Sequence, residues 1–142
     1  MSGYLKYVVK NCMTAFDELC HVNKELVGGM SSESNLDVYH LGALNRMIQD
    51  YLIIRVAGLF DKDTRAISLF NATIDSKEIE NIRREKIIDR LIMSRNKFVA
   101  HSDRNYISKG EFIIPTSEIC NSNLGDIFSR LEQLLVLNIT TP

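Results

Sequence analysis

Apolar residues recur at three- and four-residue steps along most of this chain, and only two prolines interrupt it. That pattern commits the chain to packed helices. Leu5, Val8, Val9, Cys12, Phe16, Leu19, Cys20, Leu26 and Val27 fall near one face of a first helix, which Gly28 and Gly29 end. Ser34 or Asn35 caps a second helix carrying Leu41, Leu44, Ile48, Leu52 and Leu59. Its last turns, YLIIRVAGLF, are apolar almost all round, which places it at the centre of the domain. A short helix is expected over Arg65 to Ala72. Asp75 followed by Glu78 resembles a capping box with Asp in place of Ser or Thr, opening a long helix from Ser76 to about His101. Residues 102–114 have no helical period and read as an irregular loop or a small hairpin around Gly110. A final helix lies between Thr116 and Ile139, with Leu124, Ile127, Phe128, Leu131, Leu134 and Leu135 as its apolar face. The expected fold is all-α: one helical domain over residues 1–142, a bundle of four main helices plus a short one.

Several function classes drop out early. Seventeen basic against eighteen acidic residues give a net charge of −1, which excludes a uniformly basic nucleic-acid binder but not a local patch. Cys12, Cys20 and Cys120 are odd in number and match no metal spacing, so reduced thiols and no metal site are expected. There is no Walker loop, GxGxxG, HExxH or two-metal carboxylate cluster, and no cofactor is expected. Cys20-His21 and His40 form no nucleophilic arrangement, and Tyr4 and Tyr7 read as amphipathic packing. The N-terminal residues lack the pattern of a signal peptide. The longest apolar run, Tyr51 to Phe60, is about half a membrane span and contains Arg55. A soluble, cytoplasmic protein without a membrane partner is the expectation.

The informative segment is RLIMSRNKFVAHSDRN, at the end of the predicted fourth helix. Its core stripe runs through Ile88, Leu91, Ile92 and Val99, and helical spacing puts Arg95 in that stripe. A guanidinium facing protein must be paired or line a polar cleft. An internal ion pair to Asp50 or Asp61 and a cleft that receives an anion both satisfy that demand. His101 follows Arg95 by six residues, about 120° around and about 9 Å along an ideal helix. Both side chains can reach one groove from there, and a charged His at a helix C-terminus also stabilises the dipole. Residues 83–109 carry eight basic and three acidic side chains, net +5, which leaves −6 on the rest. Phosphate is the natural counter-charge to such a bias. Arg55 stands on the inward stripe of its own helix, either as a second cation at the cleft or in an internal pair with Asp50 or a neighbouring helix.

Arg95-Asn96, four further residues and His101 resemble the R-x(4–6)-H signature of the HEPN superfamily. GLFDKDTRAISL and RNKFVAHSD are similar to the abortive-infection branch, in which an L-F-D segment precedes an R-N-K-x-x-A-H-S-D-like one. The likeness spans about residues 36–138, with its specific signal in 58–69 and 95–103. It implies a HEPN-like bundle that dimerises with its motif helices at the interface, so that two motif copies build one site. It further implies a metal-independent endoribonuclease acting on single-stranded or looped RNA, as a toxin or phage-defence effector with an inhibitory protein partner. A non-catalytic module binding RNA, a nucleotide or a protein is the alternative within the same superfamily. In the branch paired with a nucleotidyltransferase a Tyr stands two residues after the His; here Asp103 does, so tyrosine modification is not implied.

The residue types fit metal-free RNA cleavage. The ribose 2′-OH attacks the adjacent phosphate, which needs a base, an acid and cations for the phosphorane. His101 from each protomer serves proton transfer near neutral pH. Arg95 holds the phosphate with its fixed donor fork, and Asn96 donates to a phosphate oxygen or positions the His. Lys97, Arg104 and Arg55 are candidate substrate contacts, as is Asp103, which orients His101 or serves only as a cap.

Overall fold

The computed structural model describes residues 2–28, 38–72, 75–99 and 114–140. These form an all-α bundle, without strands among the described residues. Helices α1 (Ser2–Val27) and α2 (Val38–Leu59) lie against each other; α2 also packs on α4 (Lys86–Ser94), and α1 on α6 (Leu124–Thr140). Between them come α3 (Ser76–Arg83), a π turn (Arg95–Val99) and the short α5 (Thr116–Cys120). One apolar core joins Leu5, Val9 and Cys12 of α1 to Leu52, Ile53 and Val56 of α2. Ile87, Ile88 and Leu91 of α4 and Ile127, Phe128 and Leu131 of α6 complete it. Each fully buried Leu or Ile there contributes roughly 1.5–3 kcal/mol. Gly125 brings α6 close to α1: a Cβ at this position would come within 3.2 Å of the Phe16 ring, which meets Phe128 edge to face.

The structure corrects the long helix expected from Ser76 to His101. It breaks at Arg84-Glu85, where the Glu85 backbone turns extended (φ −58°, ψ 137°) before α4 starts. Asp75 does cap α3, accepting from the N–H groups of Lys77 and Glu78. The Glu78 side chain does not close a box; with Glu85 it holds Arg130 of α6, at 3.3 and 3.2 Å. The physical reason lies in the apolar stripe. From Ile82 to Ile87 is five residues, which on a continuous helix would rotate the stripe by about 140° beyond a full turn. The break lets Ile79 and Ile82, then Ile87 and Ile88, all face the core.

The final helix is likewise two. Ser122 Oγ donates to the Ile119 carbonyl at 2.6 Å and accepts from the Leu124 N–H at 3.2 Å, ending α5 and starting α6. The helix expected over Arg65 to Ala72 is reduced to one 3₁₀ turn, Leu69–Asn71. Asp61 and Asp63 each accept the N–H two residues ahead, both at 2.9 Å, and such side-chain bonds compete with a helix for the backbone. Nor is α2 enclosed. Leu52, Ile53 and Val56 are buried, while Met47 is 66% and Ile54 48% exposed. The expected cap at Ser34 or Asn35 lies outside the described residues, as do 102–113 of the expected loop or hairpin.

The chain enters the core again at Ile114. Its carbonyl accepts from Gln49 Nε2 of α2, and its N–H donates to Ser94 Oγ of α4 at 3.4 Å. Gln49 and Ser94 are both buried, and these bonds satisfy polar groups that would otherwise be costly. Thr116 Oγ1 donates to Asn45 Oδ1 at 2.7 Å. The end of α4, and with it Arg95, is thereby fixed against α2.

Candidate functional site

Ser94, not Arg95, occupies the inward position at the end of α4. The buried positions are Ile87, Ile88, Leu91 and Ser94, and the π turn starts at the next residue. Arg95 is half-buried at the margin of the core. Its Nε donates to Asn96 Oδ1 at 3.1 Å, so the Arg-Asn pair of the motif is hydrogen-bonded to itself. Asn96 and Lys97 are exposed. Because 95–99 is a π turn, the ideal-helix angle between Arg95 and His101 does not carry over. His101, Asp103 and Arg104 lie outside the described residues.

Of the two roles open to Arg95, the internal pair to Asp50 or Asp61 is not formed. Asp50 has Arg46 Nη2 at 3.0 Å, an ion pair whose direction leaves its Oδ1 without a hydrogen bond. Asp61 accepts the Asp63 N–H. Arg95 instead lines a groove of about 250 Å3 between α1 and α2. Tyr4, Leu5 and Val8 form one wall, Ile54, Arg55, Gly58 and Leu59 the other, and Ile67 adds to the rim. Two candidate cations forty residues apart in sequence are thus brought to one cavity. Among the described residues no carboxylate lines it, and neither guanidinium meets one.

Arg55 departs from expectation in detail. It is exposed, one position out of phase with the buried Leu52, Ile53 and Val56, and its internal pair with Asp50 does not exist. Its Nη1 donates to the Tyr4 hydroxyl at 3.4 Å, and the guanidinium carbon lies 5.6 Å from the centre of the Tyr51 ring one turn earlier. Beneath it, burial pushes the Cys12 thiol up to about 12, although the Arg55 charge pulls the other way. Cys12 is a neutral core side chain at physiological pH.

The basic segment is less available than its charge count implies. Arg90 makes a two-pronged contact with Glu118 of α5, at 2.8 and 3.1 Å. Arg84 lies 3.7 Å from Glu80 and Arg83 4.0 Å from Asp89. Two of those carboxylates, Glu80 and Glu118, lie outside the 83–109 window that gave the +5.

Tyr4, Tyr51 and Gly58 are the site residues that the sequence reading missed. Tyr4 is 45% and Tyr7 64% exposed, so neither is ordinary core packing. The available signal was an aromatic at the start of a helix whose core stripe is already filled by Leu5, Val8 and Val9. Among the described residues no group of three or more His, Cys, Asp or Glu is placed to hold a metal ion, and no helix is long and apolar enough to cross a membrane. No family model matches the chain, nor does any curated protein or solved structure compared with it.

Proposed function

We propose that the chain is a HEPN-like, metal-independent endoribonuclease that works as a homodimer and holds the scissile phosphate at Arg95. The observation that carries the reading is the convergence of Arg55 and Arg95 on one groove that no carboxylate lines among the described residues. Two guanidiniums lining one groove are suited to a phosphodiester and to the charge that develops on it during cleavage. The motif RNKFVAH supplies the proton-transfer group, His101. One His101 takes the 2′-OH proton as the 2′-oxygen bonds to phosphorus. The partner protomer's copy gives a proton to the departing 5′-oxygen, leaving a 2′,3′-cyclic phosphate. A role as a growth-arrest or defence effector, held in check by a protein partner, belongs to this reading.

The test is to incubate the full chain and its His101→Ala variant with mixed RNA in EDTA and to analyse the product ends. Cyclic phosphates from the wild type alone are expected. Cleavage that survives both His101→Ala and Arg95→Ala would sink the mechanism. A second reading, a non-catalytic module that binds RNA, a nucleotide or a protein partner, is favoured by the ion pairs that already engage Arg83, Arg84 and Arg90, three of the eight basic side chains of residues 83–109. Binding without any cleavage product would establish it.

A further inference from the structure

The groove holds more than two charges. Tyr4 lines it with its ring 45% exposed, and Tyr7, three residues on and so adjacent on the same helix face, is 64% exposed. The Tyr4 hydroxyl accepts from Arg55, and the Tyr51 ring stands beside the same guanidinium. Gly58 opens the floor: a Cβ there would have nothing within 4 Å. A guanidinium pair beside an exposed aromatic combines a phosphate seat with a base platform, the pairing by which single strands are bound irrespective of sequence. At about 250 Å3 the cavity is closer to one nucleotide unit than to a duplex.

We propose that this groove binds single-stranded RNA, with a phosphodiester across Arg55 and Arg95 and a base stacked on Tyr4, and that Tyr4 and Tyr51 are positioning residues for Arg55. The inference rests on the RNA reading of the same site and adds the residues that select a single strand. Stacking accounts for sequence tolerance, because every base presents a π face. The hydroxyl of Tyr4 fixes the guanidinium before RNA arrives, which lowers the ordering cost of binding.

The experiment measures binding of a fluorescent single-stranded oligoribonucleotide to the full chain in the His101→Ala background, so that the probe survives. Tyr4→Ala should weaken binding roughly tenfold, as loss of one stacked base does. Tyr4→Phe keeps the ring and should cost only about two- to threefold, since it loses the hydrogen bond to Arg55 alone. Arg55→Gln should lower the slope of log affinity against log salt by about 0.7, the signature of one lost phosphate contact on a single strand. Gly58→Glu and Gly58→Lys fill the floor alike but differ in charge, so Glu should weaken binding roughly tenfold more than Lys does. Thermal melts of each variant separate binding loss from unfolding.

Equal loss with Glu and Lys, or unchanged binding and salt slope in Tyr4→Ala and Arg55→Gln, would overturn the proposal. Competition by adenosine monophosphate at the oligonucleotide's own affinity would also overturn it, in favour of a mononucleotide site. The enzyme reading fails separately. Binding that follows these rules without cleavage by the wild type leaves the groove intact and removes the catalysis; cleavage indifferent to all groove variants does the reverse.

Discussion

Arg90 and Arg95 stand five residues apart at the end of the same helical stretch and have opposite surroundings. Arg90 is clamped by both oxygens of Glu118. Among the described residues, Arg95 meets the neighbouring Asn96 and the groove wall. The carboxylates that occupy the basic side chains around α4 come partly from elsewhere: Glu118 from α5, Glu80 from α3. In the same groove as Arg95, Arg55 meets no carboxylate among the described residues and lies beside the Tyr4 hydroxyl and the Tyr51 ring. A charge count over a window therefore misjudges which cations can receive a ligand, because availability depends on what the fold lays against each one. Arg83, Arg84 and Arg90 are occupied by carboxylates, whereas Arg95, in the same basic segment, faces the groove.

The largest expected effect breaks or keeps that contrast outright. Arg95→Ala should lower RNA cleavage by roughly 10²- to 10³-fold, the range for removing one preorganised stabiliser of transition-state charge. Arg90→Ala should leave cleavage within about twofold, since its guanidinium is already engaged. Single-turnover rates at saturating RNA decide it. Comparable losses in the two variants would mean that the whole basic segment, not the groove, carries the substrate.

Cys12 sharpens the contrast from beneath the groove. Arg55 lowers the thiol's pKa, yet burial wins and raises it to about 12 from an ordinary 9.0. Between those values the unfolded thiol has lost its proton while the folded one keeps it, so stability falls as pH rises above about 9. One such group contributes a slope of about 1 kcal/mol per pH unit. Cys12→Ala removes that slope at a constant packing cost, so urea-unfolding curves of wild type and variant should converge between pH 9 and 12. Parallel curves would mean that water reaches the thiol and that the groove floor is wetter than its lining implies.

Much of the fold was legible because stripes of apolar residues survive folding intact. Leu124, Ile127, Phe128, Leu131 and Leu135 are all buried on one face, as their spacing demands. What was not legible is where a stripe changes phase. The five-residue step from Ile82 to Ile87 was present in the sequence, but reading on from Asp75 as one helix carried the register past Glu85. Arg95 is seven residues beyond Ile88 and Ser94 seven beyond Ile87, and both isoleucines are buried; Ser94 takes the inward place and bonds to Ile114, a choice that spacing alone does not make. Tyr4 was hidden for a different reason: pairing an aromatic on α1 with an arginine on α2 is a tertiary fact that no local period encodes. The start of the predicted helix gives a measurable check. Asp75→Ala should cost about 1 kcal/mol in urea unfolding, because two N–H groups lose their acceptor. Glu85→Ala should cost less, since Arg130 keeps Glu78 and solvent screens the lost contact.

The smallest effect returns to Arg90 and Arg95 through stability rather than cleavage. The Arg90 hydrogen bonds hold the Glu118 carboxyl below its ordinary range, against a smaller opposing push from burial. A depressed carboxylate stabilises the fold above its unfolded pKa and loses that contribution as pH falls through the folded value. Both partners are about a third exposed, so solvent limits the contribution to about 1 kcal/mol or less near neutrality. Arg90→Ala should therefore unfold at a lower urea concentration than wild type at pH 7, and the gap should close as Glu118 becomes protonated. Arg95→Ala, which breaks no ion pair, should show no such acid-dependent gap. A gap for Arg95 that closed in the same way would reveal a carboxylate partner for it in solution, and Arg95 would then belong with Arg90 among the structural cations instead of at the groove.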